Sequence, residues 1–186
     1  MTGSTEESDQ AIVDRITSGD VDAYALILER YEPKLHRYAT YLIHDQMAAH
    51  DVVQETFIKA YQNMRSFNPK YKFSSWIYRI AHNEAMNAIK KTKHTTDYDI
   101  STLPDNSYGS HMDEVVDKKI LKADVQACID ELDTKYREVI QLVYFERLKY
   151  DDISDVLHVP SSTVGVWLLR AKSRLKLICE KKGLKR

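Results

Sequence analysis

With 186 residues, 43% of them hydrophobic, the chain is long enough for one ordinary domain or two small ones and too apolar to be wholly disordered. Its 28 acidic and 27 basic side chains give a formal net charge of -1, so the overall charge does not point to a polyanionic partner. No stretch approaches the roughly eighteen uninterrupted apolar residues of a membrane span, and residues 1–10 lack the basic and then apolar pattern of a signal peptide. We therefore expect a cytoplasmic protein without direct membrane insertion.

Apolar residues recur at intervals of three and four along nearly the whole chain, and the alternation typical of strands is nearly absent. The sequence therefore predicts an all-α protein. Residues 1–93 should form the first of two small helical domains, in which Asp45 caps the third helix and Ser74 caps the fourth.

The helical periodicity fails in residues 94–112, where Thr, Asp, Ser and Asn accumulate together with Pro104 and Gly109. Such a segment buries too little apolar surface to offset the entropy of folding, and it is typical of a flexible linker. Residues 113–186 should then form the second helical domain.

The second domain is predicted to begin with a helix that reaches about Leu132. Asp133 should cap the next helix, whose apolar residues include Tyr136 and Tyr144. After it, residues 150–175 have the layout of a helix-turn-helix, with a short first helix, a turn and a longer second helix.

The second helix of this motif should have a buried side and a polar side. Ser161 is its predicted cap, and Val164, Leu168 and Ala171 recur at intervals of four and three on the inner side. The candidate contacts with duplex DNA, on the outer side and its flanks, are Ser161, Ser162, Thr163, Val166, Trp167, Arg170, Lys172 and Arg174. A recognition helix places such residues against base edges and phosphates, although an amphipathic helix pair on its own more often serves packing alone.

Another group of polar and aromatic residues lies in the fourth helix and in the loop before it. The candidate contacts with single-stranded DNA in this group are Phe67, Asn68, Lys70, Lys72, Trp76, Arg79, Asn83, Asn87 and Lys90. Aromatic rings stack on unpaired bases, cations follow the backbone and amides bond base edges, so the combination suits an unwound strand. For Trp76 taken alone, a place in the core is the commoner use.

The third helix carries a small patch made of Asp51, Gln54, Glu55 and Ile58. The default interpretation of such a patch is a solvated helix face. An acidic and amide surface with an exposed aliphatic side chain beside it is equally suited to docking on a partner helix, and the residues alone leave both interpretations open.

Charges are segregated along the chain although they nearly cancel overall. Residues 59–94 contain eight basic side chains against Glu84 alone, and residues 164–186 contain eight against Glu180 alone. Between them, residues 97–133 contain ten acidic side chains against three lysines. Two positive segments separated by a negative one predict two contacts with one polyanion, because each neutralised phosphate releases counterions.

Three motifs, taken in order, resemble those of extracytoplasmic-function (ECF) sigma factors, which form group IV of the bacterial primary-sigma-like family. They are Asp51-Val-Val-Gln-Glu-Thr-Phe-Ile-Lys-Ala-Tyr61, Phe73-Ser-Ser-Trp-Ile-Tyr-Arg-Ile-Ala-His-Asn83, and Leu132-Asp-Thr-Lys-Tyr-Arg-Glu-Val-Ile140 followed by the helix-turn-helix. The resemblance implies a non-enzymatic subunit that binds core RNA polymerase and directs it to promoters of an alternative, stress-responsive set of genes.

This resemblance also implies a role for each candidate group. The patch around Asp51, Gln54 and Glu55 would bind the clamp of the largest polymerase subunit, and the second domain would lie near the polymerase flap. The loop Phe67 to Lys72 and the fourth helix would hold the melted minus-ten element of promoter DNA, and the recognition helix would read the minus-thirty-five duplex. In many family members an anti-sigma factor occupies these surfaces, and one is expected here.

The recognition helix departs from the family pattern. The family usually has Pro-x-Gly-Thr-Val-Lys-Ser-Arg where this chain has Pro160-Ser-Ser-Thr-Val-Gly-Val-Trp167, so Gly165 and Trp167 replace two cations. We therefore expect either a changed upstream sequence preference or weaker upstream binding that depends on the three cations further along the helix.

The main rival interpretation is a stand-alone DNA-binding regulator, which accounts for the helix-turn-helix but leaves the first domain without a role.

An enzyme is disfavoured because no His-Glu-x-x-His pair, phosphate-cradling glycine loop or activated nucleophile occurs at motif spacing. Cys128 and Cys179 lack the spacing of a metal site or a disulfide framework, so we expect two reduced cysteines, no metal and no cofactor.

Overall fold

The computed structural model describes residues 7–95 and 124–184 of the chain. Every regular element in those residues is helical, which confirms the predicted all-α fold. The first group of helices comprises α1 (Asp9–Thr17), α2 (Tyr24–Ile43), α3 (Gln46–Gln62) and α4 (Phe73–Thr95). The second group comprises α5 (124–130 within the described residues), α6 (Thr134–Ile140), α7 (Tyr150–Leu157) and α8 (Ser161–Lys181).

Helices α1 to α4 pack around an apolar core, in which α2 contacts both α3 and α4. Ile27, Leu35 and Leu42 recur along one side of α2 and are buried, as the 3.6-residue period of a helix requires. The carboxylate of Asp45 accepts hydrogen bonds from the amides of Met47 at 2.9 Å and Ala48 at 3.1 Å, which confirms the predicted cap of α3.

The start of α4 differs from the prediction. The amide of Trp76 donates to the carbonyl of Lys72 at 3.2 Å, so the helix begins at Phe73 and Ser74 lies inside its first turn instead of capping it. Phe73 is buried at this helix start. Burial of its ring is worth roughly 2–3 kcal/mol, which outweighs the 1 kcal/mol or so of a serine cap one residue later.

The second group departs from the prediction at the end of α6. This helix begins directly after Asp133, but the Asp133 carboxylate pairs with Arg174 at 2.5 Å instead of capping the helix. α6 then continues into a π-helical turn, Gln141–Phe145, in which the amide of Glu146 donates to the carbonyl five residues back. The wider turn rotates the following residues about the helix axis, so Tyr144 is 51% exposed instead of lying on the predicted apolar side.

Helices α7 and α8 form the predicted helix-turn-helix. His158 ends α7 in the left-handed conformation, with a φ of +53°, and Pro160 stands at the N-terminal cap position of α8. The hydroxyl of Ser161 donates to the Asp151 carboxylate at 2.6 Å. The prediction that Ser161 caps α8 is therefore wrong, because its hydroxyl ties α8 to the start of α7.

The two groups of helices pack against each other, with α4 on α7 and α2 on α6. Their buried apolar side chains make one continuous core. Two carboxylates of the second group are buried at this contact, since the side chain of Glu138 is 4% exposed and that of Glu146 is 2% exposed. A buried carboxylate without partners is costly, so each needs several donors.

Glu146 accepts hydrogen bonds from α2 and α4 and also from the Gln141 side-chain amide of the preceding π turn, at 3.0 Å. The Arg37 guanidinium donates through Nε at 3.1 Å and through Nη2 at 2.9 Å, and the Tyr78 hydroxyl donates at 2.5 Å. Burial, reinforced by the Glu146 charge, raises the pKa of Tyr78 far above its ordinary value. The phenol therefore stays protonated and remains a donor.

Glu138 is held in a similar way. It accepts a hydrogen bond from the hydroxyl of the fully buried Tyr38, and His82 Nδ1 lies 2.6 Å from the same carboxylate oxygen. Burial and then the Glu138 charge raise the pKa of Tyr38 well above its ordinary value. Beside it, the Arg137 guanidinium donates to the carbonyl of Leu42 at the end of α2, at 3.4 Å. These bonds fix the position of α6 on the first group.

The predicted linker falls largely outside the described residues. α4 continues through Thr95, so residues 94–95 are helical and not the beginning of a linker. Residues 96–112 of the predicted linker and residues 113–123 of the predicted second domain lie outside the part of the chain that the structure describes.

Within residues 7–95 and 124–184, the structure contains no helix that is both long and apolar enough to cross a bilayer. The same residues contain no cluster of His, Cys, Asp and Glu side chains arranged to hold a metal ion. Cys128 and Cys179 are free thiols. Burial, followed by the neighbouring Cys179 side chain, raises the pKa of the Cys128 thiol to about 11, so the fold brings together two cysteines that are far apart in sequence.

Gly165 lies inside α8, where glycine costs roughly 1 kcal/mol relative to alanine. A Cβ at this position would meet Tyr150 Cε2 at 3.7 Å, an ordinary van der Waals distance. We expect Gly165→Ala to raise the free energy of unfolding by about 0.5–1 kcal/mol, measured by urea denaturation. Gly19→Ala should lower it, because the φ of Gly19 is +110°. A loss of stability in Gly165→Ala would contradict the prediction.

Candidate nucleic-acid interfaces

The predicted polymerase-binding patch lies on the solvent side of α3. Asp51, Gln54 and Ile58 are exposed, the last by 50%, and Glu55 is half-buried. Glu55 pairs with Lys59 one turn along the same helix, at 3.3 Å. The four predicted residues therefore form one solvent-accessible patch, in which an aliphatic side chain lies beside carboxylate and amide groups.

A groove of about 330 Å³ between α3 and α4 adjoins this patch. Asp51 and Glu55 line it from α3, and Asn87 lines it from α4. Lys59 joins the two helices through Glu84 at 2.8 Å, and this carboxylate raises the pKa of the Lys59 amine. The groove thus places a predicted polymerase contact next to a predicted DNA contact.

A cavity of about 90 Å³ lies where the loop before α4 meets the first turns of that helix. Its lining includes four of the predicted minus-ten contacts: Phe67, Asn68, Trp76 and Arg79. Aromatic faces, an amide and a guanidinium therefore meet in one place. These are the groups that stack on an unpaired base, bond its edge and neutralise its phosphate.

Phe67 and Trp76 are each only 8% exposed. Together with Phe73 they form an aromatic cluster whose ring centroids lie 5.4 to 5.6 Å apart. Trp76 therefore occupies the core position that is the commoner use of tryptophan, because its ring packs on two neighbouring rings. The Trp76 side chain also lines the cavity, on the side that faces the core.

The other predicted contacts of this group lie at the surface. Lys70, Lys72, Asn83, Asn87 and Lys90 are exposed. The last three follow one another at intervals of four and three along α4, so they form one polar stripe. The structure thus divides the predicted group into residues at the cavity and residues along the helix.

Lys72 has a partner from the second group of helices. Its ammonium pairs with the Asp152 carboxylate of α7 at 2.6 Å. Asp155, nearly one turn further along α7, lines the cavity together with Trp76 and Arg79. The acidic part of α7 therefore rests on the predicted minus-ten surface.

On α8, only some of the predicted upstream contacts lie on the outer side of the helix. Ser162, Val166 and Arg170 are exposed on the side opposite the buried residues of the helix. Thr163 and Trp167 are half-buried, and Trp167 packs against the edge of the core. The outer side is more apolar than the predicted contacts alone indicate, because Leu169 is 67% exposed there.

Two of the predicted cations of α8 turn towards α6 and the turn that follows it. Lys172 Nζ lies 5.5 Å from the ring centre of Tyr144, and the guanidinium of Arg174 lies 4.7 Å from that of Tyr136. Such contacts of a cation with an aromatic face are favourable by about 0.5–1 kcal/mol at exposed sites. Arg170 is the predicted cation that lies on the outer side of the helix.

Apart from Lys72, the residues that join the two groups of helices were not identified as site residues from the sequence. Arg37, Tyr78, Glu138 and Glu146 belong to this set, and so does Asp152. Glu138 carries a partial signal, since it directly precedes the apolar Val139 and Ile140, where a charged residue close to the core needs a partner. Its partners lie far away in the sequence, so periodicity does not reveal them.

Two family models match consecutive parts of the chain. Residues 27–95 match sigma-70 region 2, and residues 122–175 match sigma-70 region 4. The first match covers α2 to α4, which carry the cavity and the α3 patch. The second covers α6, α7 and most of α8. The chain therefore contains segments that match both sigma-70 region 2 and sigma-70 region 4.

Similar proteins extend over nearly the whole chain. The RNA polymerase sigma-H factor of Pseudomonas aeruginosa is 33% identical over 181 residues, which cover 92% of this chain and 93% of that protein. The ECF RNA polymerase sigma factor SigW of Bacillus subtilis is 32% identical over 175 residues, covering 88% and 92% respectively. The chain belongs to the ECF family of RNA polymerase sigma factors, which are transcription initiation factors and not enzymes.

Solved structures agree with this fold. CnrH, determined in complex with the cytosolic domain of CnrY, superposes with a TM-score of 0.71 at 21% identity over 94% of this chain and 99% of that one. The sigma factor RpoE of Bartonella quintana, determined with the anti-sigma factor NepR, gives a TM-score of 0.65 at 23% identity over 84% and 96%. At these identities the likeness shows the fold.

Because Trp76 packs in an aromatic cluster, we expect Trp76→Ala to lower the free energy of unfolding by about 3–5 kcal/mol. Asn83→Ala, at an exposed position of the same helix, should change it by less than about 0.5 kcal/mol. Urea denaturation of both variants measures the difference. Equal stabilities would show that the Trp76 ring does not support the core.

Proposed function

We propose that this sigma factor binds core RNA polymerase through the α3 patch, holds the melted minus-ten strand at α4 and its preceding loop, and reads the minus-thirty-five duplex with α8. The observation that carries the proposal is the cavity at which Phe67, Asn68, Trp76 and Arg79 meet. An unpaired base needs an aromatic face, a hydrogen-bonding amide and a nearby cation, and this cavity offers all three. The genes served would form an alternative, stress-responsive set.

Proposed promoter opening uses binding energy and no covalent chemistry by the chain. Extruding a base from the duplex costs a few kcal/mol, and stacking on an aromatic side chain returns roughly 1–3 kcal/mol per base. Since these terms nearly cancel, melting becomes favourable only when further contacts are added. Core polymerase would supply these, and α8 would fix the position of the complex on the duplex.

The proposed partners also include an anti-sigma factor. RpoE of Bartonella quintana, whose fold is similar, was determined with the anti-sigma factor NepR, and CnrH was determined with the cytosolic domain of CnrY. A chain with the same fold offers a partner of this type the same kind of helical surface. Such regulation, like transcription itself, would take place in the cytoplasm.

In vitro transcription with sigma-free core polymerase on a random promoter library tests the proposed function. The chain should give defined start sites and enrich one upstream and one downstream element. Absence of start-site selectivity would overturn the proposal. Failure to co-purify with core polymerase, combined with tight binding to duplex DNA, would favour a stand-alone regulator instead.

For the α3 patch, Asp51→Lys should weaken binding to core polymerase by about tenfold, on the order of 1–2 kcal/mol. Reversing an exposed charge at the centre of the proposed contact places like charges together. Glu29→Lys is the matched control, because it makes the same change at an exposed position of α2. Titration of labelled chain with core polymerase measures both, and equal losses in the two variants would argue against the patch.

Upstream recognition should depend more on Arg170 than on Arg174. Arg170 lies on the outer side of α8, whereas Arg174 pairs with Asp133 at 2.5 Å. We expect Arg170→Ala to weaken binding of the holoenzyme to minus-thirty-five duplex by about 1–3 kcal/mol, and Arg174→Ala to weaken it by less. Footprinting at several holoenzyme concentrations checks the order, and the reverse order would contradict it.

A further inference from the structure

The last turn of α8 packs on α5, away from the proposed DNA contacts. The Lys182 ammonium, at the C-terminal cap of α8, pairs with the Glu131 carboxylate at 2.6 Å and donates to the carbonyl of Ala127 at 3.3 Å. Ala127 and Glu131 flank Cys128 in the sequence, one position before it and three positions after it. Lys182 follows Cys179 by three positions, which is nearly one helical turn. These contacts therefore hold the turn that carries Cys179 against the turn that carries Cys128.

The two cysteine side chains also interact with each other at this contact. After burial, a hydrogen bond between the two side chains is the next cause that raises the pKa of Cys128 to about 11. Two cysteines can be bridged when their helices are close and their side chains face each other. Thiols that share a hydrogen bond between packed helices face each other, so Cys128 and Cys179 have the arrangement that a disulfide requires.

Cys128 and Cys179 differ in their access to solvent. Cys128 is buried, whereas Cys179 is half-buried, so an oxidant in solution reaches Cys179 first. The thiolate and not the thiol reacts with oxidants, and the raised pKa of Cys128 keeps this residue in the thiol form at neutral pH. An accessible cysteine with a second, resolving cysteine beside it is typical of a redox-sensing pair.

We propose that Cys128 and Cys179 form a reversible dithiol–disulfide pair, which reacts with peroxide and covalently joins α5 to the end of α8. Neither cysteine is a proposed DNA or polymerase contact, so this modification site is separate from those surfaces. A cross-link between residues 128 and 179 closes a long loop and reduces the conformational entropy of the unfolded chain. The disulfide therefore keeps the second group of helices, including the recognition helix, folded under oxidising conditions.

Oxidation by peroxide takes place in two steps. The Cys179 thiolate attacks one oxygen of hydrogen peroxide, so a sulfur–oxygen bond forms and the oxygen–oxygen bond breaks. The hydroxide that leaves takes up the proton that Cys179 released and becomes water. The Cys128 sulfur then attacks the sulfenic sulfur of Cys179, and a second hydroxide leaves with the proton of Cys128 as water. Two electrons pass from the sulfur atoms to the peroxide, and the products are one disulfide and two water molecules.

Lys182 assists the second of these steps. Its positive charge opposes the rise in the pKa of Cys128, so it favours the thiolate of that residue. The contacts of Lys182 with Glu131 and with the Ala127 carbonyl hold this charge beside Cys128.

Peroxide treatment of the reduced full chain tests the pair. Remaining thiols are blocked with N-ethylmaleimide in denaturant, and intact mass spectrometry should then show a monomer that has lost two hydrogen atoms and carries no maleimide. Peptide mapping without reduction should recover Cys128 and Cys179 in one cross-linked species, and dithiothreitol should restore two reactive thiols. The oxidised chain should also melt several degrees higher than the reduced chain.

Cys128→Ser and Cys179→Ser are the matched variants. In Cys128→Ser the accessible thiol should still be oxidised, and its sulfenic acid should persist long enough to be trapped by dimedone. In Cys179→Ser the buried thiol should react at least about tenfold more slowly than the thiol of the first variant. Neither variant should gain thermal stability on treatment with peroxide, because neither can form the cross-link.

Three results would overturn the proposal. One is a wild-type chain in which Cys179 is oxidised while Cys128 still reacts with maleimide, because the two sulfur atoms would then not meet. Another is a disulfide that forms only between two chains, which electrophoresis without reduction separates from the monomer. The third is a wild-type chain that keeps both thiols at a peroxide concentration that oxidises Cys128→Ser. Failure to direct transcription would overturn the proposed function alone, since the disulfide does not depend on it.

Discussion

Two buried carboxylates determine how the halves of this sigma factor are arranged. Glu138 and Glu146 lie in a largely apolar interface, where a charge is tolerated only if donors surround it. Arg37, Tyr38 and Tyr78 supply those donors from fixed positions on α2 and α4. Because apolar surfaces alone can slide past one another, these directional bonds select one alignment of the two groups of helices, and that alignment brings α7 to the cavity.

The same surface of α4 serves the fold and the proposed DNA contact. Trp76 packs against Phe67 and Phe73 and also lines the cavity. A ring fixed in this way loses little conformational entropy when a base stacks on it, so the packing prepares the site. It also follows that stability and strand binding cannot be separated by removing Trp76, and that they are better separated at Asn83 or Lys90, which are exposed.

Periodicity and local capping predict much of this structure. The all-α fold, the helix-turn-helix, the Asp45 cap and the exposed α3 patch all depend on residues close in sequence. The surroundings of Trp76, the turn of Arg174 towards α6 and the pairing of Lys72 with Asp152 depend on residues from distant segments, which no local pattern encodes. The prediction that Tyr144 lies on an apolar helix side is wrong for a different reason, because a π turn breaks the 3.6-residue period on which that prediction relied.

The π turn Gln141–Phe145 determines how far the residues that follow it are rotated about the helix axis relative to α6. Successive residues of a helix are rotated by about 100°, so deleting one residue here would swing every later side chain around the axis. Glu146 would move away from its donors Arg37 and Tyr78, and the positions of α7 and α8 would shift as well. Deletion of one residue in the π turn would therefore change both the packing of the two groups of helices and the orientation of the recognition helix α8. Every residue of those two surfaces would still be present.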